Sequence, residues 1–111
     1  MKRVLEYLDA AGASPFRKWF DKLDAFAAAK VTMATTRMAM GNFGDHRSVG
    51  EGVIECRIDF GPGYRIYFGR DGDTLVILLS GGTKNRQQGD IAQAKRRWQD
   101  YKMRSKAMKG H

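Results

Sequence analysis

Two hydrophobic periods divide the chain. From Val53 apolar and polar positions alternate, with Ile54, Cys56, Ile58 and Phe60 on one side and Glu55, Arg57 and Asp59 on the other. A period of two is that of a strand. Gly61-Pro62-Gly63 makes a tight connection into a strand at Tyr64–Gly69, and Asp71-Gly72 is a hairpin signal leading into Thr74–Ser80. Three antiparallel strands are therefore expected. Placing Phe60 opposite Tyr64 sets Asp59 against Arg65 and Arg57 against Tyr67. Placing Arg70 opposite Asp73 sets Val76 beside Tyr67 and Leu78 beside Arg65. That polar face is then half apolar and needs a cover.

The first half of the chain follows a different rhythm. Residues 2–9 predict a strand with Val4, Glu6 and Leu8 on one side and Leu5 and Tyr7 on the other. Ser14 then caps a helix whose first position is Pro15. Phe16, Trp19, Phe20 and Leu23 form one apolar stripe at i, i+3, i+4 and i+7. Asp24 caps a second helix over 25–40, ended by Gly41-Asn42-Phe43-Gly44, so the two helices form a hairpin. At the far end Asp90 and Gln93 spell a capping box. The stripe Ile91, Ala94, Trp98 and Tyr101 would let this last helix cover the sheet, and beyond Lys102 the pattern decays into a frayed or mobile basic tail over 102–111. The fold class is α+β in the order β-α-α-β-β-β-α. An antiparallel sheet carries the helical hairpin on one face, with a basic C-terminal helix, in a single domain of 111 residues.

Charge sharpens this picture. The net charge is +8, and nearly all of the excess lies from Lys84 onward, where nine Lys and Arg face only Asp90 and Asp100. Such a localised field attracts a polyanion or an acidic partner, although a solvated helix face would look the same. Cys56 is the only cysteine, which rules out an internal disulfide and is compatible with a reducing compartment. Between Ile54 and Ile58 it reads as a small core residue, because neither His46 nor His111 is near it in sequence to act as a base. No apolar stretch approaches the roughly 20 residues needed to span a bilayer, and Glu6 and Asp9 interrupt any signal-type start. The expectation is a cytoplasmic protein that does not engage membranes and needs no metal or other cofactor.

The run from Gly52 to Phe68, with Gly61-Pro62-Gly63-Tyr64-Arg65 at its centre, resembles the RelE/ParE toxin superfamily, and within it the phage-derived, HigB-like branch of addiction-module killer proteins. Residues 78–91 (Leu-Leu-Ser-Gly-Gly-Thr-Lys-Asn-Arg-Gln-Gln-Gly-Asp-Ile), Ala94-Lys95 and the loop Gly41-Asn42-Phe43-Gly44-Asp45 extend the similarity. It covers nearly the whole chain and is most specific over 52–98. Cys56 departs from it, since the branch more often carries a larger aliphatic residue there, a matter of packing rather than chemistry.

The resemblance implies the toxin of a type II toxin–antitoxin system, an endoribonuclease that cleaves mRNA, often on the ribosome, by attack of a 2′-hydroxyl. Its partner would be a cognate antitoxin, a helix-turn-helix protein encoded in the adjacent gene. Such cleavage needs a proton acceptor, cations around the phosphorane and a donor to the leaving 5′-oxygen. By the same resemblance Arg65 is the strand arginine that holds the scissile phosphate bidentately. Lys84 follows the last strand, where relatives carry another cation, and would act as a phosphate ligand or, if deprotonated beside Arg65 and Arg86, as a base. Tyr67 completes the catalytic set, with Arg57, Arg86, Gln88, Arg96 and Arg97 as RNA-binding candidates.

Each assignment has a structural alternative. Arg65 could simply pair across strands with Asp59, and Arg57 and Tyr67 could be cross-strand packing. Gln87 and Gln88 could read a base edge or belong to an ordinary polar loop. His46 could transfer protons or be a solvated loop residue. Trp98 and Tyr101 could stack on bases, but their helical spacing favours the core. A toxin on the same fold could instead grip a protein target such as DNA gyrase, or the basic helix could bind nucleic acid without catalysis. Fold alone does not separate these functions.

Overall fold

The computed structural model describes residues 1–109. Five strands form one sheet: β1 (Arg3–Glu6), β2 (His46–Gly50), β3 (Val53–Ile58), β4 (Tyr64–Asp71) and β5 (Leu75–Thr83). Their spatial order is β1-β5-β4-β3-β2. The helices are α1 (Pro15–Phe20), α2 (Ala25–Ala39) and α3 (Gln87–Lys109), with a 3₁₀ turn at Lys84–Arg86 leading into α3.

The sheet differs from the sequence expectation in three ways. It is mixed, because β1 runs parallel to β5 along its outer side, with Arg3 opposite Leu75 and Glu6 opposite Leu78. It contains an extra strand, β2, pairing antiparallel with β3. Its sequence, His-Arg-Ser-Val-Gly, is short and polar because it is an edge strand whose residues are mostly exposed. The register also shifts. Ile58, not Phe60, lies opposite Tyr64, which brings Arg57 opposite Arg65 and Glu55 opposite Tyr67. The loop from Asp59 to Gly63 is longer than a minimal hairpin, so Asp59 leaves the ladder. On the other side Arg70 pairs with Val76, Tyr67 with Ser80 and Arg65 with Gly82, with a bulge between Tyr67 and Phe68.

Each face of the sheet is covered. On one, Cys56, Ile66, Phe68, Val76 and Leu78 meet Phe16 of α1 and Val31 and Met38 of α2. The helix signals act as expected: Ser14 Oγ accepts from Arg17 N at 3.0 Å and Asp24 Oδ1 from Ala27 N at 2.9 Å. On the other face, Val53, Tyr67, Ile77 and Leu79 meet Ala94 and Trp98 of α3, with Tyr7 at the edge. Trp98 lies so flat on β4 that a Cβ on Gly69 would fall 2.5 Å from its ring. That contact requires glycine, and it makes Trp98 a core residue.

The third helix begins earlier and runs longer than its sequence suggests. Asp90 is not its cap but sits within the first turn, because the chain is already helical from Gln87. The helix also continues through the segment from Lys102 that was expected to fray, reaching Lys109; residues 110–111 of that expected tail lie outside the described residues. Among the described residues no helix is long and apolar enough to cross a membrane.

Candidate functional site

An open groove of about 490 Å³ lies where the β3–β4 connection meets the end of β5, lined by Asp45, Arg57, Asp59, the Gly61-Pro62-Gly63 turn, Arg65 and Lys84. Three separate segments supply its cations. Arg57 and Arg65 are directly opposed on β3 and β4, and Lys84 N donates to Gly63 O at 2.9 Å, docking the post-β5 turn on the hairpin loop. Gly63, at φ +82°, is the junction: a Cβ there would sit 3.5 Å from Lys84 Cβ and 3.7 Å from Arg65 Nη1. Both distances are ordinary contacts, so the glycine serves the left-handed turn.

The electrostatics of this groove are unusual for a resting protein surface. Like charges directly opposite on neighbouring strands destabilise a sheet, yet Arg57 and Arg65 hold that position. Both Nε atoms are buried without a hydrogen-bond partner among the protein atoms. Arg57 is only partly compensated, by Asp45 at 2.9 Å from its Nη2. Arg65, 9% exposed, donates from Nη1 to its neighbour Tyr64 O at 3.3 Å. Buried donors without acceptors cost roughly 1–3 kcal/mol each.

Behind the arginines lies a residue that sequence reasoning placed only on a polar face. Glu55 is completely buried. Arg47 Nε donates to its Oε1 at 3.0 Å, and Arg65 Nε lies 4.0 Å from the same oxygen. The Tyr67 hydroxyl donates to Oε2 at 3.2 Å and the Gln87 amide at 2.8 Å. The available signal was an acid between Ile54 and Cys56 on a strand face that had to be covered. The expected Asp59–Arg65 pair is absent, and Glu55 is the carboxylate nearest Arg65 instead.

The other candidates divide. Tyr67 is fully buried beneath α3, away from the groove's surface, and its phenol is pushed well above its ordinary range by burial and then by Glu55. It stays a protonated donor to that carboxylate. Gln87 is likewise turned inward to Glu55 rather than towards a base. Arg86 shares the 3₁₀ turn with Lys84 but does not line the groove. Gln88 and Arg96 belong to a separate depression on the outer side of α3, with Glu51 and Lys95. Arg97 Nη2 donates to Gln93 Oε1 at 3.2 Å. The structure thus brings together Arg57, Arg65 and Lys84, and not the whole expected set.

His46 heads β2 opposite Cys56, with its Nδ1 2.8 Å from Gly44 O. Although the pairing makes the two neighbours, burial raises the Cys56 thiol to about 11, so it is a core thiol and not a nucleophile. Tyr101 donates to Asp71 Oδ2 at 2.7 Å, fastening α3 to the end of β4. Two further buried polar atoms, Ser80 Oγ and Asp90 Oδ2, lack protein partners beneath the start of α3. Burial raises the Asp90 carboxyl above its ordinary range, against the lowering pull of Arg86 and Arg97. Among the described residues no group of three or more His, Cys, Asp or Glu side chains could hold a metal ion.

Comparison with known proteins adds two findings. The family model described as Phage derived protein Gp49-like matches residues 18–99, which include every residue of the groove. The chain is also similar to an uncharacterized protein of Haemophilus influenzae, 48% identical over 81 residues that cover 72% of this chain and 82% of that protein.

Proposed function

Because the chain belongs to the Gp49-like family of phage-derived proteins, we propose that it is the toxin of a type II toxin–antitoxin pair, of RelE/ParE type, and that its groove binds and cleaves RNA. The observation that carries this reading is the pair of opposed arginines with unpartnered Nε atoms, joined in one groove by Lys84. A surface built only to pack has no use for that repulsion. A phosphodiester relieves it, since each guanidinium presents a planar fork to phosphate oxygens.

In the proposed step the 2′-oxygen attacks the neighbouring phosphorus and the bond from phosphorus to the 5′-oxygen breaks. The products are a 2′,3′-cyclic phosphate and a 5′-hydroxyl. Arg57 and Arg65 hold the non-bridging oxygens as charge grows on them. Asp45, whose side chain is 66% exposed at the groove, accepts the 2′-hydroxyl proton, and the Lys84 ammonium donates one to the leaving oxygen. Glu55 keeps Arg65 aimed without touching RNA. The protein partner in this reading is an antitoxin that covers or neutralises the groove.

Lys84→Ala is expected to relieve growth arrest on induction while leaving thermal unfolding close to wild type, and Arg65→Ala to relieve it with a lower melting temperature, because buried Glu55 loses a cationic neighbour. Loss of one such charge-stabilising donor should lower cleavage by about 10²–10³-fold. Primer extension on mRNA from induced cells checks the chemistry: discrete new ends support cleavage. Intact mRNA with broken DNA would point to a gyrase-type target, and full toxicity in both variants would remove the groove from the mechanism.

A further inference from the structure

A second groove adjoins the first. It is about 260 Å³ and runs between α2 and β3, sharing Asp45, Arg57 and Asp59 with the cationic groove and continuing to Lys30, Arg37, Phe43 and Phe60. Its size is below the range of drug-sized pockets and suits one planar group. Its rim is cationic and its floor includes two aromatic rings. Phe43 is already engaged, stacked on Phe68 at 5.2 Å with the Arg70 guanidinium 5.0 Å from its centroid. Phe60 stacks with Tyr64 at 6.4 Å, and the Lys30 ammonium, at the end of a long side chain, lies over its ring at 5.5 Å. Asp59, one residue before Phe60, is exposed and enters none of the ion pairs of the described residues.

We propose that this groove is a nucleobase subsite: it takes the base of the nucleotide next to the phosphate held by Arg57, Arg65 and Lys84, with Phe60 as its stacking face and Asp59 as its reader. The inference rests on the RNA-binding reading of the cationic groove. Arg57 is the shared wall, so a strand whose phosphate sits on it has its next base at the mouth of the second groove. A base sliding over Phe60 displaces the Lys30 ammonium, which remains close enough to meet the strand's following phosphate. Base–aromatic stacking accepts any base, so selectivity comes from Asp59. A carboxylate only accepts. It matches the paired N1–H and N2–H donors of guanine best, a single amino donor of adenine or cytosine less well, and uracil's lone imino donor least.

The test uses the full chain and short single-stranded RNAs with one deoxyribose at the central position, which removes the attacking hydroxyl and so blocks cleavage. Four probes differ only in the base beside that position, and a fifth is abasic there. The expected affinity order is guanine first, uracil last among bases, and abasic weakest by about 5- to 100-fold. Phe60→Leu keeps an apolar packing group and should bring the base-bearing probes down towards the abasic one, with an unchanged melting temperature as the folding control. Asp59→Asn removes a negative charge beside the phosphate, so binding of every probe should rise while the preference for guanine disappears. Equal binding of abasic and base-bearing probes by the wild type would overturn the subsite and leave the phosphate groove standing. Tight binding of all probes that Arg65→Ala does not weaken would overturn the groove reading itself, and the subsite with it.

Discussion

Asp90 shows how one buried side chain can work against stability. Its carboxyl is buried against Gly82, where a Cβ would fall within 2.0 Å of it, and its Oδ2 has no protein partner. Burial favours the protonated form, so its folded pKa lies above the unfolded value. The stability this confers is therefore present below the unfolded value and is lost as pH rises through the folded one. Asp90→Asn is expected to melt higher than wild type at pH 7 and to converge with it near pH 3. A constant difference across that range would show that Asp90 does not titrate as described. Glu55 is the opposite case, a buried acid surrounded by donors. Removing one partner of a buried pair leaves an uncompensated charge and costs about 3–5 kcal/mol. Sequence periodicity put Glu55, Arg57 and Arg65 on one face correctly, but not the depth of each. Depth depends on where α3 lands, and that is set by Trp98 fitting over Gly69, a contact between residues far apart in the chain.

At the scale of elements, the signals that succeeded were local. Ser14-Pro15, Asp24 and the glycines around residue 41 act within a few residues of themselves, so they could be read directly. The signals that failed were pairings. The register slipped because five residues, Asp59–Gly63, link β3 and β4, where the Gly-Pro-Gly tripeptide alone suggested a tighter turn. The edge strand β2 was invisible because its residues lack a covered face. The last helix depends on a single large anchor, with Trp98 stacked on Tyr101 at 5.2 Å and Tyr101 bonded to Asp71. Trp98→Ala should cost about 3–5 kcal/mol in chemical unfolding and raise hydrogen exchange along α3 before the α1–α2 side. Uniform loss of protection on both faces would show that the two cores are not separable in this way.

Across the whole molecule, the proposed function divides the charge between a long helix that attracts and a groove that selects. The Lys and Arg residues from Lys84 onward outnumber acids heavily, yet among the described residues only Lys84 of them lines the groove. RNA affinity should fall with salt, the log–log slope steepening by about 0.7 for each phosphate engaged on a single strand. Lys106→Gln on the helix should flatten that slope without altering which base is preferred. An unchanged slope would mean the helix charge plays no part in capture. The pairing of β1 with β5 carries one more consequence. The sheet's first strand has no neighbour until residues 75–78 exist to meet it, and closing so long a loop is slow compared with local helix formation. Lys84 and α3 follow later still. A chain emerging from synthesis therefore holds Arg57 and Arg65 before it holds the groove that Lys84 completes.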